Sequence, residues 1–127
     1  MNPKSPVSET GVPQLGAKIF FDREGRWVGW GGRIRNNAGD TSSWHIHPAS
    51  DTFVYIITGS ITIEFGLKGE GRVNACAGDF FIIPAGIIHR ELTSSDSHLD
   101  ALVLRVGGEP EQIDVDDPDS MVMPVME

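Results

Sequence analysis

Ile61-Thr62-Ile63-Glu64-Phe65 alternates apolar and polar side chains without a break, between Thr58-Gly59-Ser60 and Gly66-Leu67-Lys68-Gly69-Glu70-Gly71. A period of two puts Ile61, Ile63 and Phe65 on one face of an extended chain and Thr62 and Glu64 on the other, the pattern of a half-buried strand. Its flanks read as antiparallel connections, a tight turn on one side and a longer glycine-rich hairpin loop on the other. Working outward, short apolar segments of strand length, punctuated by glycine, proline and small polar residues, recur at 17–21, 27–35, 52–58, 79–83 and 99–106. Helical periodicity is not found. So many antiparallel strands in one short chain must hide their edges, and rolling or sandwiching the sheet does so. The expected class is all-β, a barrel or jelly roll.

At 127 residues the chain fits one domain, without room for separate cofactor and substrate domains. Eighteen acidic against ten basic residues give a formal charge of -8, which repels phosphate backbones and anionic lipid, so nucleic acid and membrane are not expected partners. No apolar run approaches a bilayer span, and residues 1–14 carry three prolines and no signal-peptide core. A cytoplasmic location is expected. Cys76, the only cysteine, excludes an intrachain disulfide and is expected to be a buried, inert thiol. The boundaries read as a flexible arm over 1–14, the barrel over 15–108 and an acidic arm over 109–127. The last of these ends in the apolar Met121-Val122-Met123-Pro124-Val125-Met126 and either docks on the barrel or a second subunit, or frays.

His45 and His47 are one residue apart, so on a strand both imidazoles project from the same face, about 6 to 7 Å apart along the backbone. His89 follows the Pro84-Ala85-Gly86 turn, and a neighbouring strand of a closed barrel can present it opposite that pair. Three converging neutral imidazoles suit iron, nickel, copper or zinc and leave positions open for water, dioxygen or substrate. An isolated His-x-His is as often an ordinary surface or core feature. His98, in the polar turn Thr93-Ser94-Ser95-Asp96-Ser97-His98, reads as a solvated loop residue.

The surroundings of these histidines carry a family pattern. Gly39, His45, His47 and Gly59 stand at the spacing of a first motif, and Gly78, Pro84, Gly86 and His89 at that of a second, with Thr93 where that motif ends in asparagine. Together they resemble the two motifs of the cupins. The resemblance implies a small single-domain cupin barrel, a double-stranded β-helix that commonly forms homodimers and binds one divalent metal ion at its open end.

The pattern departs at one ligand. Thr52 occupies the position of the family's metal-binding glutamate, and Asp51, one residue away, faces the opposite side of a regular strand. Asp51 remains a candidate fourth ligand if the turn after Pro48 is irregular. Glu91 has the parity of His89 and is a secondary candidate, a base or a group behind the ligands, against the plainer expectation that it faces solvent. Trp44, Phe53, Tyr55, Ile57, Ile63 and Phe65 either line a pocket or simply fill the core, and the Tyr55 hydroxyl is the candidate to orient a substrate. A site of three histidines keeps the full charge of the ion and favours anionic, chelating small molecules. That is similar to the three-histidine cupin dioxygenases, which implies Fe(II), with Mn, Ni, Zn or Cu as other ions. A non-catalytic binding or sensing cupin and a metal-dependent isomerase, cyclase or lyase stay open.

Overall fold

A computed structural model describes residues 15–108 and 111–118, with side chains left undescribed at 15–20 and 27. The expected N-terminal arm over 1–14 and the apolar end at Met121–Met126 lie outside the described residues. Ten strands run in chain order: β1 Leu15–Phe21, β2 Trp27–Asn36, β3 His45–Ile46, β4 Ser50–Thr58, β5 Ser60–Phe65, β6 Gly71–Cys76, β7 Phe80–Ile83, β8 His89–Thr93, β9 Leu99–Gly107 and β10 Ile113–Asp114. They form two five-stranded sheets, ordered β1-β2-β9-β4-β7 and β10-β3-β8-β5-β6, and every pairing is antiparallel. This is the all-β jelly-roll architecture, with each sheet turning one face inward to share a core. Among the described residues no helix is long and apolar enough to cross a membrane.

The alternation of the chain decides what is inside. On β5, Ile61 and Ile63 are buried, as the opening pentapeptide predicts, and Phe65 packs against the same core. The first sheet answers with Trp30, Ile34, Val54, Ile56, Ile83, Leu99, Ala101 and Val103. Along β4 the inward residues are Ser50, Thr52, Val54 and Ile56, so Phe53, Tyr55 and Ile57 point the other way. The turn from β4 to β5 requires glycine: Gly59 has φ +88°, and a Cβ there would stand 2.4 Å from the His98 carbonyl oxygen.

Cys76 is exposed, not buried as the sequence suggested. It ends β6, where only Ala75 is fully buried, so the pleat turns the thiol outward. Residues 111–118, the described part of the acidic arm, lie against the barrel: β10 pairs with β3 through Ile113↔Ile46 and Asp114↔His45, the Val115 amide donates to the Trp44 carbonyl at 2.9 Å, and Ser43 Oγ donates to Asp114 Oδ1 at 2.9 Å.

Candidate metal centre

β3 and β8 are hydrogen-bonded neighbours, and their register sets His45 directly against His89. His47 follows two residues after His45 on the same side. The three rings lie with centroids 4.3 Å (His45–His89), 5.1 Å (His45–His47) and 5.6 Å (His47–His89) apart. One nitrogen from each falls within 4.8 Å of the other two, and all three side chains are buried.

Each ring is oriented by its Nδ1. His45 Nδ1 lies 2.7 Å from the Ser43 carbonyl oxygen, His89 Nδ1 2.9 Å from that of Ile87, and His47 Nδ1 3.1 Å from that of Glu111. A carbonyl only accepts, so each Nδ1 carries a proton, and Nε2 is the nitrogen through which each neutral ring would ligate, the tautomer of a metal-bound histidine. Nε2 of His45 and of His89 is buried without any hydrogen-bond partner. Orphaned basic nitrogens are rare inside proteins, and three imidazoles within one small volume fit a divalent cation. Burial pushes His45 and His47 below the usual imidazole range, which keeps them neutral and able to ligate.

The turn that delivers His89 is itself anchored to the first motif. The Gly86 amide donates to the His47 carbonyl at 2.9 Å, and the Ala85 amide donates to Asp51 Oδ1 at 2.8 Å. Gly86 has φ +81°, which suits glycine and lets the chain double back into β8.

The other sequence candidates divide. Asp51 is exposed and spends its carboxylate on the Ala85 amide, so it does not join the histidines; β4 keeps a regular register from Ser50 to Ile56, and the pleat turns Asp51 away. Tyr55 shares the parity of Asp51 and lies on the outer face, 42% exposed, with no access to the site. Trp44 is buried, but beneath Arg90 and beside Gly69, away from the imidazoles. Ile63 and Phe65 do line an apolar cleft of about 270 Å³, with Val73, Phe81, Ile83 and Ile87 among its other walls. Phe65 pairs in register with His89, Ile63 with Glu91, and Thr52 with Ile83, so the cleft adjoins the metal centre strand by strand.

Glu91 corrects the expectation that it faces solvent. It is buried on the inner face of β8, with Oε1 3.2 Å from His89 Nε2 and Oε2 3.8 Å from His45 Nε2. Burial opposes its charge, yet the His89 and His45 rings beside it hold the carboxyl below the usual range. At His89 burial likewise works against the charge, and the Glu91 carboxylate outweighs it and raises the imidazole. Sequence reasoning missed Arg105, buried on the inner face of β9 across from Thr52, its guanidinium 5.2 Å from the Trp30 ring. Burial pushes it down to about 10, so it remains a cation at neutral pH.

Solved structures with the same architecture span several descriptions. A cupin-like protein from Thermotoga maritima aligns with a TM-score of 0.64 at 17% identity, over 78% of this chain and 74% of its own. A Klebsiella pneumoniae protein with a double-stranded β-helix domain aligns at 0.62 and 14% identity, over 90% and 84%. An oxalate oxidase aligns at 0.61 and 20% identity, over 87% of this chain but only 60% of its own length. No curated protein matches the sequence. The profile described as Cupin domain matches residues 32–105, a stretch that holds both glycine-bounded motifs and all three buried imidazoles. With more than half of its length matched in this way, the chain belongs to the cupin family.

Proposed function

We propose that the protein is a metal-dependent enzyme of the dioxygenase type, acting on a small anionic or chelating organic molecule with Fe(II) at His45, His47 and His89. The observation that carries this reading is the set of three enclosed imidazoles with donor atoms within 4.8 Å of one another, each with Nδ1 tied to a backbone carbonyl, and with Nε2 of His45 and His89 left to ligate. Iron(II) would supply the one-electron chemistry that allows dioxygen to react with an organic anion. The chain's own part is to hold, orient and exclude. His45 and His89 are fully buried, so water has little access to the reacting group. Arg105 brings a cation to the same interior row as Thr52, which favours an anionic head group there. The apolar cleft along Ile63, Phe65 and Ile83 suits the hydrocarbon part of the molecule. The fold is also that of an oxalate oxidase, named for a small chelating acid.

Elemental analysis of protein purified without added metal, combined with oxygen uptake on a panel of diketones, thiols and hydroxyaryl ketones, tests the reading. Stoichiometric iron with turnover supports it. Tight zinc or nickel without oxygen use points to an isomerase, cyclase or lyase instead, and a metal-free protein that binds small molecules points to a sensing module.

The homodimer that the family resemblance implies has a surface to form on. Outward residues of three adjacent strands align in register as Leu104–Phe53–Ile82 and Leu102–Tyr55–Phe80, two apolar rows on the outer face of the first sheet. We propose that a second copy covers this face. Light scattering should report a dimer, reduced to a monomer by Tyr55→Lys together with Leu104→Lys; a monomeric wild type would refute it.

A further inference from the structure

Glu91 brings a buried carboxylate among the imidazoles, and one of its two oxygens, Oε2, has no hydrogen-bond partner. Its oxygens lie 3.2 Å from His89 Nε2 and 3.8 Å from His45 Nε2, yet both nitrogens and Glu91 Oε2 are without a hydrogen-bond partner. Donors that share one ion are arranged in this way. With metal–ligand bonds of about 2.0–2.2 Å, two donors on the same ion stand about 2.8–4.4 Å apart, depending on the angle between them. Both observed separations, one from each carboxylate oxygen, fall inside that interval; the donors already within 4.8 Å of one another are those of His45, His47 and His89, so the carboxylate would close on an ion that the three rings hold.

The neighbouring strand explains why the carboxylate is found here. Thr52 stands at the position of the family's glutamate, is 2% exposed and has no partner for its Oγ1. It faces the same internal cavity of about 20 Å³ as Glu91. A glutamate at position 52 would extend into the volume that Glu91 shares with the short threonine side chain. The backbone of Glu91 is fixed from behind: its amide donates to Ser42 Oγ at 2.8 Å and its carbonyl accepts from the Ser42 amide at 2.9 Å.

From this geometry we infer that Glu91 is the fourth protein ligand, so that the carboxylate of the metal centre comes from β8 and not from β4. The inference rests on the metal-binding reading of the three histidines. It lowers the net charge of the loaded centre from two to one. It also leaves the side of the ion toward Thr52 without a protein carboxylate.

The test uses the full chain and Zn(II) alone, with affinity read by competition against a chromophoric chelator and the donor set read from the absorption of the Co(II) form. Glu91→Gln should weaken Zn(II) binding by about 100-fold or more and shift the Co(II) bands. Glu91→Ala combined with Thr52→Glu should recover most of the affinity, which a purely structural role of Glu91 would not allow. If Glu91→Gln binds Zn(II) as tightly as wild type while His47→Ala releases it, the inference about Glu91 is overturned and the histidine site stands. If wild type itself retains no ion, the metal-binding reading fails. Should Glu91→Gln not fold, X-ray absorption of the wild-type Zn(II) form decides: three nitrogens and one oxygen from a carboxylate support the inference, and a shell lacking the carboxylate refutes it.

Discussion

The docked C-terminal segment is part of the metal centre, and replacing Val115 with proline tests how much it contributes. The Val115 amide donates to the Trp44 carbonyl at 2.9 Å, and proline has no donor to offer. Leaving that carbonyl unpaired costs about 1–3 kcal/mol. The segment is also held by the two-residue ladder with β3, the Ser43–Asp114 bond, the His47–Glu111 bond and the burial of Pro118. Each such bond is worth a net of about 0.5–1.5 kcal/mol, so the loss at Val115 is at least as large as any one of them. The detached population should rise about 5- to 150-fold. His47 Nδ1 then loses the Glu111 carbonyl for part of the time, and metal affinity should fall by up to about 10- to 100-fold, the cost of losing such a partner outright. Hydrogen exchange of residues 43–48 and 111–118 reads the detachment, and chelator competition reads the affinity. The core of Trp30, Ile56, Leu99 and Ala101 is untouched, so global unfolding should change little. Faster exchange of the segment with unchanged metal affinity would refute the claim that Glu111 orients His47.

Two further outcomes follow from the surface. The exposed Cys76 thiol is pushed above its usual range by Asp79, so a thiol reagent should label the native chain slowly at neutral pH, and Asp79→Asn should accelerate labelling. Equal rates for the two proteins would count against that contact. Glu64 is held below its ordinary value of 4.5 by Arg90 and Arg72. Its stabilising contribution is therefore complete above pH 4.5 and is lost as pH falls through the lower folded value, so Glu64→Gln should flatten the acid limb of the stability curve. An unchanged acid limb would exclude this pair of contacts as a source of acid sensitivity.

The sequence displays the strands that bury one face and conceals those that do not. Ile61–Phe65 alternates because one side meets the core. β6 reads Gly-Arg-Val-Asn-Ala-Cys with a single fully buried residue, Ala75, and so has no pattern to detect. β4 is apolar on both faces, and its periodicity alone cannot decide whether Tyr55 or Val54 points inward. The resemblance to the cupin motif does decide, because it implies that Thr52, at the position of the family's metal-binding glutamate, faces inward, which turns Asp51 and Tyr55 out together, as the structure shows. Glu91 was legible in the same way: His89, Glu91 and Thr93 alternate on β8, opposite the apolar Phe65, Ile63 and Ile61. An acidic residue in such a row belongs to the interior. The two residue pairs of β10 are too few to leave a sequence signal, and the acidic composition of that segment hides that it completes a ligand's hydrogen bond.

Anomalous diffraction from crystals of the full chain grown with a divalent transition metal addresses the account at its centre. One strong peak should lie about 2.0–2.3 Å from Nε2 of His45, His47 and His89 together. A map without a peak between these rings, or with the ion held only at the surface acids around Asp114, would contradict it.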